Sequence, residues 1–342
     1  MGYHWSCSMT STTVRPREET PTLQQRVLRQ MRSGLGPLIA ALVLICVALS
    51  LASPEFLTTS TLTNIMVQVS VVGIAAVGGT FVIITSGIDL SVGSLVALSG
   101  MVAATVMAGA SPDAVGLGVA GLVIALVTGA AVGALNGFGI AWLRLVPFIV
   151  TLAMMAMGRG LTLAISDGRT KFDFPNVFTA FGAKTFAGLP APMLVMLAVF
   201  VIGHVLLRKT EFGHQVFAVG GNKEAARLAG IPVSRVIFLT YMFAGVTAAI
   251  AGIVLAGRLN SALPSAANGL ELQVIAGVVI GGTSLAGGRG SIVGTFIGVV
   301  LIGVINVGLS LLGVNPFWTQ FIQGGVILAA VLLDALSQRR KL

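Results

Sequence analysis

The chain has 342 residues, of which 56% are hydrophobic and 9% charged, and glycine alone supplies 44. A soluble domain this apolar could not cover its surface with polar groups, which excludes an ordinary water-soluble enzyme. The net charge of +9 does not point to nucleic acid, because the basic residues fall in the segments between apolar runs and therefore describe topology.

Residues 1–35 are polar, rich in Arg, Thr and Ser, and without hydrophobic periodicity, as expected of a disordered basic cytoplasmic tail. Apolar runs follow at about 36–52, 63–85, 90–109, 115–142, 147–165, 190–207, 235–257, 269–282, 290–312 and 316–333. Runs near 20 residues match a hydrocarbon core roughly 30 Å thick. Lipid offers no hydrogen bonds, so such runs form helices, and their uniform apolarity excludes the alternating strands of a barrel. The expected fold class is an all-α polytopic membrane protein with about ten transmembrane helices, eight being the fallback, some of them short or broken. Ser50-Leu-Ala52 could pass as a signal-peptidase site, yet the long polar stretch before it favours a retained first span. Cys7 and Cys46 have no metal-like spacing and no disulfide logic.

With ten spans and both termini cytoplasmic, fifteen of the 20 basic residues lie inside. Only Arg159, Arg169, Lys171, Lys184 and Arg258 lie outside, as the positive-inside rule expects. The membrane domain covers 36–335, and 336–342 form a cytoplasmic C-terminal tail. The outer loop 166–189 places Phe172, Phe174, Phe178, Phe181 and Phe186 among polar residues, which suits an interfacial segment or one packed on the mouth. The inner loop 208–234 is the longest cytoplasmic segment between spans. It is a polar island, and within it Glu224-Ala-Ala-Arg-Leu-Ala reads as a short helix, capped by Asn222 and stopped by Gly230-Ile-Pro. A short helix standing out from the membrane suits insertion into a partner's groove; without a partner it would lie on the surface.

Ile84-Thr-Ser-Gly-Ile-Asp-Leu-Ser-Val-Gly-Ser94 is similar to Ile280-Gly-Gly-Thr-Ser-Leu-Ala-Gly-Gly-Arg-Gly-Ser291. Each breaks a helix and starts a small-residue one, so a two-fold internal repeat is expected, with chance glycine alignment as its rival. Gly129, Gly133 and Gly137 recur every fourth residue, as do Gly290, Gly294 and Gly298. Such stripes let helix backbones approach, within one subunit or across a dimer seam.

Polar groups in the spans are the candidates for a substrate path or gate: Asn64, Gln68, Asp89, Ser91, Asn136, Glu271 and Asn306. Each has a bland alternative. Asp89 and Glu271 sit at helix starts, where a carboxylate meets backbone N–H groups and the positive dipole end. The amides serve equally for interhelical hydrogen bonds. Arg159, near the outer end of its span, is read as snorkelling. His204 is the one histidine near a span and pairs with no carboxylate, so no proton relay emerges. The sequence holds no Gly-x-x-x-x-Gly-Lys-Ser/Thr loop and no zinc spacing. Catalytic residues and metal ligands are therefore expected to be absent, and nucleotide hydrolysis to reside in another chain.

Three motifs resemble the permease subunits of monosaccharide ABC importers of the ribose/xylose/arabinose/galactoside type, the ribose branch most closely. They are Thr85-Ser-Gly-Ile-Asp-Leu-Ser-Val-Gly93, Gly220-Gly-Asn-Lys-Glu-Ala-Ala-Arg-Leu-Ala-Gly-Ile231 and Gly281-Gly-Thr-Ser-Leu-Ala-Gly-Gly-Arg-Gly-Ser291. The resemblance covers about 36–335. It implies a multi-pass protein of the bacterial inner membrane, working as two permease copies with a cytoplasmic ABC ATPase and an extracytoplasmic sugar-binding protein. ATP and Mg would be bound by the ATPase, and no cofactor by this chain. It further implies that Gly213, Gly220, Gly221, Asn222, Glu224, Ala225, Ala226 and Gly230 form the loop that couples to the ATPase, Gly220–Ala226 being the expected contact segment. The solute expected is ribose or another pentose, with nucleosides, polyols or a furanosyl signal molecule as alternatives. The rivals from other classes are an ion-coupled secondary transporter and a non-transporting scaffold.

Overall fold

The computed structural model describes residues 35–339. The tail assigned to 1–35, Leu35 apart, and residues 340–342 lie outside the described residues. Among the described residues the chain forms thirteen helices. The first seven are α1 (Gly36–Ala52), α2 (Thr59–Ile84), α3 (Val92–Val106), α4 (Val115–Ala141), α5 (Pro147–Ser166), α6 (Asn176–Ala183) and α7 (Ala191–Lys209). The rest are α8 (Glu211–Gly221), α9 (Lys223–Leu228), α10 (Val233–Leu259), α11 (Leu270–Ile280), α12 (Ile292–Leu311) and α13 (Pro316–Arg339). Two antiparallel strand pairs decorate one end of the bundle. β1 (Lys171–Phe172) pairs with β4 (Ser261–Ala262), and β2 (Thr185–Phe186) with β3 (Leu189–Pro190).

Every apolar run read from the sequence coincides with one helix. Six of them, α2, α4, α5, α7, α10 and α12, are long and apolar enough to cross a membrane, while α1, α3 and α11 are shorter apolar helices. Their ends follow local chemistry. Thr58 accepts the Thr61 N–H at 3.3 Å to start α2, and Pro147 supplies the fixed φ that opens α5. Asp167 and Asn260 take left-handed backbone conformations that end α5 and α10.

The helix α2 is the axis of the bundle. Most of its apolar window is buried, under α7, α10, α11 and α12. Phe81, Ile74, Ile84, Val274, Val278 and Tyr241 fill the main core. The glycine stripe of α4 packs within the subunit: a Cβ on Gly129 or Gly133 would strike the backbone of Gly245 or Tyr241 on α10. Gly294 and Gly298 do the same for α12 against Gly277 of α11 and Gly281 just after it. Gly290 falls outside that seam, because α12 begins only at Ile292, and it rests on Ile84 and Thr283. The flanks of α4 and α5 present Val123, Val127, Phe148, Ile149, Met157 and Leu161 outward, an apolar surface suited to lipid or a second chain.

Several expectations need correcting. The segment 166–189 is more than an interfacial loop, because it contains α6. Phe174 and Phe178 are buried in a second core with Met101, Met107 and Ile253, while Phe172, Phe181 and Phe186 stay exposed. Gly182 makes this packing possible by lying directly on the backbone of Gly257 and Arg258. The two similar segments differ in packing. α12 folds back along α11, whereas α3 leaves α2 and packs on α4, α5 and α10. Arg159 does not snorkel. Its guanidinium is half-buried and donates from Nη1 to the carbonyls of Pro264 and Ala266, at 2.9 and 2.8 Å. Five donors on a planar fork can hold two carbonyls that a lone ammonium would satisfy less well. Arg258 likewise donates to the Val67 carbonyl at 3.3 Å. Arg159 thereby pins the α10–α11 connection to α5, and Arg258 ties the end of α10 to α2.

Replacing Arg159 by Leu leaves two carbonyls of that connection without their charged donor. The expected cost is on the order of 2 kcal/mol, read as a lower thermal midpoint of the detergent-solubilised chain, with Arg159→Lys falling between Leu and the native residue.

Candidate functional site

The three distinctive motifs meet at one end of the bundle, and the contact is made by backbone. At the end of α2 the Ile84 carbonyl accepts the Gly288 N–H at 2.9 Å. Ser86, held at φ 61°, donates its hydroxyl to the Ala286 carbonyl at 2.9 Å and lies 3.4 Å from the Gly220 carbonyl. A Cβ on Gly220 would overlap the Ile84 carbonyl and press on the Gly288 nitrogen. A Cβ on Gly287 would overlap the Ser86 hydroxyl. Three chain segments can approach this closely only where side chains are missing. The loop after α11 also needs left-handed backbone at Gly282, Gly287 and Gly288. The break after α2, the break after α11 and the end of α8 therefore form a single junction.

Outside the junction stands the polar island. It is more ordered than a loop with one helix. Thr210 accepts the Gly213 N–H at 3.3 Å and starts α8, which sequence reading did not resolve. Asn222 then accepts the N–H groups of Glu224 and Ala225, both at 3.0 Å, and starts α9 as expected. Arg227 pairs with Glu224 at 3.1 Å on the surface, and Gly230 at φ 81° ends the helix. The residues expected to touch a partner divide into two sets. Gly213, Gly220 and Ala226 are buried. Gly213 lies against the carbonyls of Leu206 and Leu207, where a side chain would not fit. Gly221, Asn222, Glu224, Ala225 and Gly230 are exposed. The segment Gly220–Ala226 is thus not uniformly outward. Leu228, which the sequence reading passed over, is 90% exposed and shares a face of α9 with exposed Ala225. Its signal was one leucine closing a short capped helix that carries Lys223, Glu224 and Arg227.

Asp89, Ser91 and Asn136 form a buried chain just inside the junction. Asp89 Oδ1 accepts the Ser91 N–H at 2.8 Å and the Ser91 hydroxyl at 2.6 Å. The Asn136 amide donates to Ser91 Oγ at 2.9 Å, and Asn136 Oδ1 has no partner among the described residues. The carboxylate thus turns the chain into α3 three residues ahead of its first helical residue, Val92. Thr151 of α5 and Tyr241 of α10 donate to the neighbouring Ile88 carbonyl at 3.2 and 3.4 Å. Glu271 sits in the first turn of α11, and its carboxylate lies against Gly93 of α3, where a Cβ would collide with it.

The remaining candidates lie toward the opposite end. Gln68 and Asn306 line a cleft between α2, α11, α12 and α13. Asn306 Oδ1 accepts the Gln323 Nε2–H at 2.7 Å. Asn64 is exposed one turn beyond Gln68. The structure therefore separates the polar candidates: Asp89, Ser91 and Asn136 form the buried chain near the junction, Glu271 sits at the end of α11 away from the junction loop, and Gln68 and Asn306 line the cleft with Asn64 exposed beyond them. Among the described residues no cluster of His, Cys, Asp and Glu is arranged to hold a metal ion.

Residues 61–331 match the family model described as branched-chain amino acid transport system / permease component. The chain is 44% identical to the ribose import permease protein RbsC of Bacillus subtilis over 321 residues, covering 93% of this chain and 98% of that one. It is 46% identical to the protein of the same name in Escherichia coli K12, covering 88% and 93%. The D-allose transport system permease protein AlsC of Escherichia coli is 40% identical, covering 88% and 91%. No solved structure matches the chain.

Gly220 and Gly221 are adjacent on α8, yet only Gly220 faces backbone; Gly221 has open space where a Cβ would stand. Gly221→Ala is expected to leave the thermal midpoint unchanged or slightly raised, since alanine is the better helix former by about 1 kcal/mol. Gly220→Ala is expected to lower it by several degrees, because the added methyl forces α8 off the junction.

Proposed function

Because the chain belongs to the branched-chain amino acid transport system permease family, we propose that it is the membrane-spanning subunit of an ATP-driven importer for a monosaccharide. The observation that carries this reading is α9, a capped helix outside the bundle that leaves Ala225 and Leu228 exposed. The sequence lacks a phosphate-binding loop, so the free energy of ATP would enter through such a contact. A partner ATPase gripping α9 would move α8, and with it the junction that joins both broken-helix loops. The solute class follows the relatives named for ribose and D-allose rather than the amino acids in the family description. D-ribose is the first solute to test. Ten helices in the membrane, with both termini and α9 on the cytoplasmic side, fit the distribution of basic residues. The membrane domain would then span 36–335, with 208–234 as its coupling segment. The apolar flanks of α4 and α5 suit a second copy of the chain, and an extracytoplasmic binding protein would deliver the sugar.

An ion-coupled transporter needs a titrating group placed to meet both solvents and a basic partner. Asp89 is enclosed by Ser91 and its surroundings, and Glu271 lies in electrostatic reach of an arginine that already holds two carbonyls.

Leu228→Glu places a charge on the exposed face of α9 and touches nothing in the bundle. The expected outcome is an unchanged thermal midpoint of the isolated chain, loss of the co-purifying ATPase, and at least a tenfold fall in ATP-dependent D-ribose uptake by cells, the factor that about 1.4 kcal/mol of lost binding gives at limiting partner. Uptake that persists without the ATPase and collapses with a protonophore would establish the ion-coupled rival.

A further inference from the structure

Between α2, α11, α12 and the start of α13 lies an open cleft of about 680 Å³, within the ~300–1,000 Å³ usual for small-molecule sites. The path of the chain places it. α11 ends where the junction loop begins, so its first residues, and Asn268 before them, point to the other end of the bundle. Gln68 stands about 24 Å up α2 from Ile84 at 1.5 Å per residue. On the topology proposed above, this is the outer half of the membrane. Six carboxamides line the cleft, those of Gln68, Asn268, Gln273, Asn306, Gln320 and Gln323. Among its described lining residues there is no acidic, basic or aromatic side chain. Below Asn306 and Gln323 the space shrinks to about 10 Å³ among Ala276, Ile302, Ile305 and Val326, room for one water at most.

We propose that this cleft is an outer vestibule for an uncharged, polyhydroxylated solute, with the Asn306–Gln323 hydrogen bond as its floor. The inference rests on the importer reading and adds where the solute is held. The chemistry favours that class. A carboxamide offers two donors and an acceptor without charge, which matches a hydroxyl that both donates and accepts. A zwitterionic amino acid would find no counter-charge there for its ammonium or its carboxylate. A lipid chain would leave six amides facing hydrocarbon. The absence of an aromatic platform leaves hydrogen bonds alone to hold the solute, and they exchange readily with water. Weak retention suits a passage better than a store.

The test uses the full chain with its partner subunits in intact cells, in a background carrying Cys7→Ser and Cys46→Ser. Cysteines at Gln68, Gln273 and Asn306, one at a time, are treated from outside with a membrane-impermeant methanethiosulfonate. Uptake of labelled D-ribose, D-allose and L-arabinose is then compared with that of the same variant untreated. All three positions should label, Gln68→Cys fastest and Asn306→Cys slowest. Gln273→Leu and Asn306→Leu should lower uptake at least about tenfold with the amount of assembled complex and its ATP hydrolysis retained. Gln273→Cys and Asn306→Cys that resist labelling would show the cleft covered by a second copy or by lipid and overturn the proposal. So would Leu variants that transport normally. If the Cys-free background takes up none of the three sugars, the monosaccharide reading itself falls, and the solute class assigned to the cleft falls with it. Normal background uptake with unaffected variants removes the cleft assignment alone.

Discussion

The structure depends on one close approach, the Ile84 carbonyl receiving the Gly288 N–H while Gly220 lies against both. In a bilayer a backbone carbonyl released at a helix end must find a donor within the protein. Here the end of α2 finds it in the loop after α11, and Ser86 donates to the Ala286 carbonyl of the same loop beside the end of α8. Glycine at 220, 287 and 288 makes the geometry possible. Two discontinuous helices and the polar island are thereby fixed to one another by backbone contacts, which tolerate less adjustment than side-chain contacts.

The buried polar chain follows from that arrangement. Once α2 stops at Ile84, the connection to α3 must turn inside the protein, and Asp89 supplies the acceptor for the turn. Asn136, Thr151 and Tyr241 then bind the turn to α4, α5 and α10. Asp89 thus holds the turn between α2 and α3, while the amides of Gln68 and Asn306 line open space.

The helices were legible because the bilayer imposes a length and an apolarity that few residues escape. α9 was legible because Asn222 and Gly230 are explicit start and stop signals. α8 was hidden, since Thr210 is a weaker cap and Gly213, Gly220 and Gly221 lower helix propensity; tertiary contact overrides that deficit. α6 was hidden for a related reason: Phe174 and Phe178 read as interfacial until Gly182 is seen to let them reach the core. The orientation of Gly220 could not be read at all. A glycine that permits a docking contact and one that permits internal packing look alike in sequence, and only the position of the Ile84 carbonyl distinguishes them. Arg159 misled in the opposite sense. A basic residue near a span end is usually a solvated one, and its two carbonyl partners lie more than a hundred residues away.

The proposed importer works if force on α9 reaches the broken helices through this junction. The most direct measurement is the number of sugar molecules moved per ATP hydrolysed by the assembly reconstituted with its ATPase and binding protein, compared between the native chain and Ser86→Ala. If force reaches the broken helices through this junction, the variant assembles and hydrolyses ATP but moves several-fold fewer sugars per ATP, because Ser86 no longer holds the α2–α3 connection to the α11–α12 loop. An unchanged ratio would contradict it.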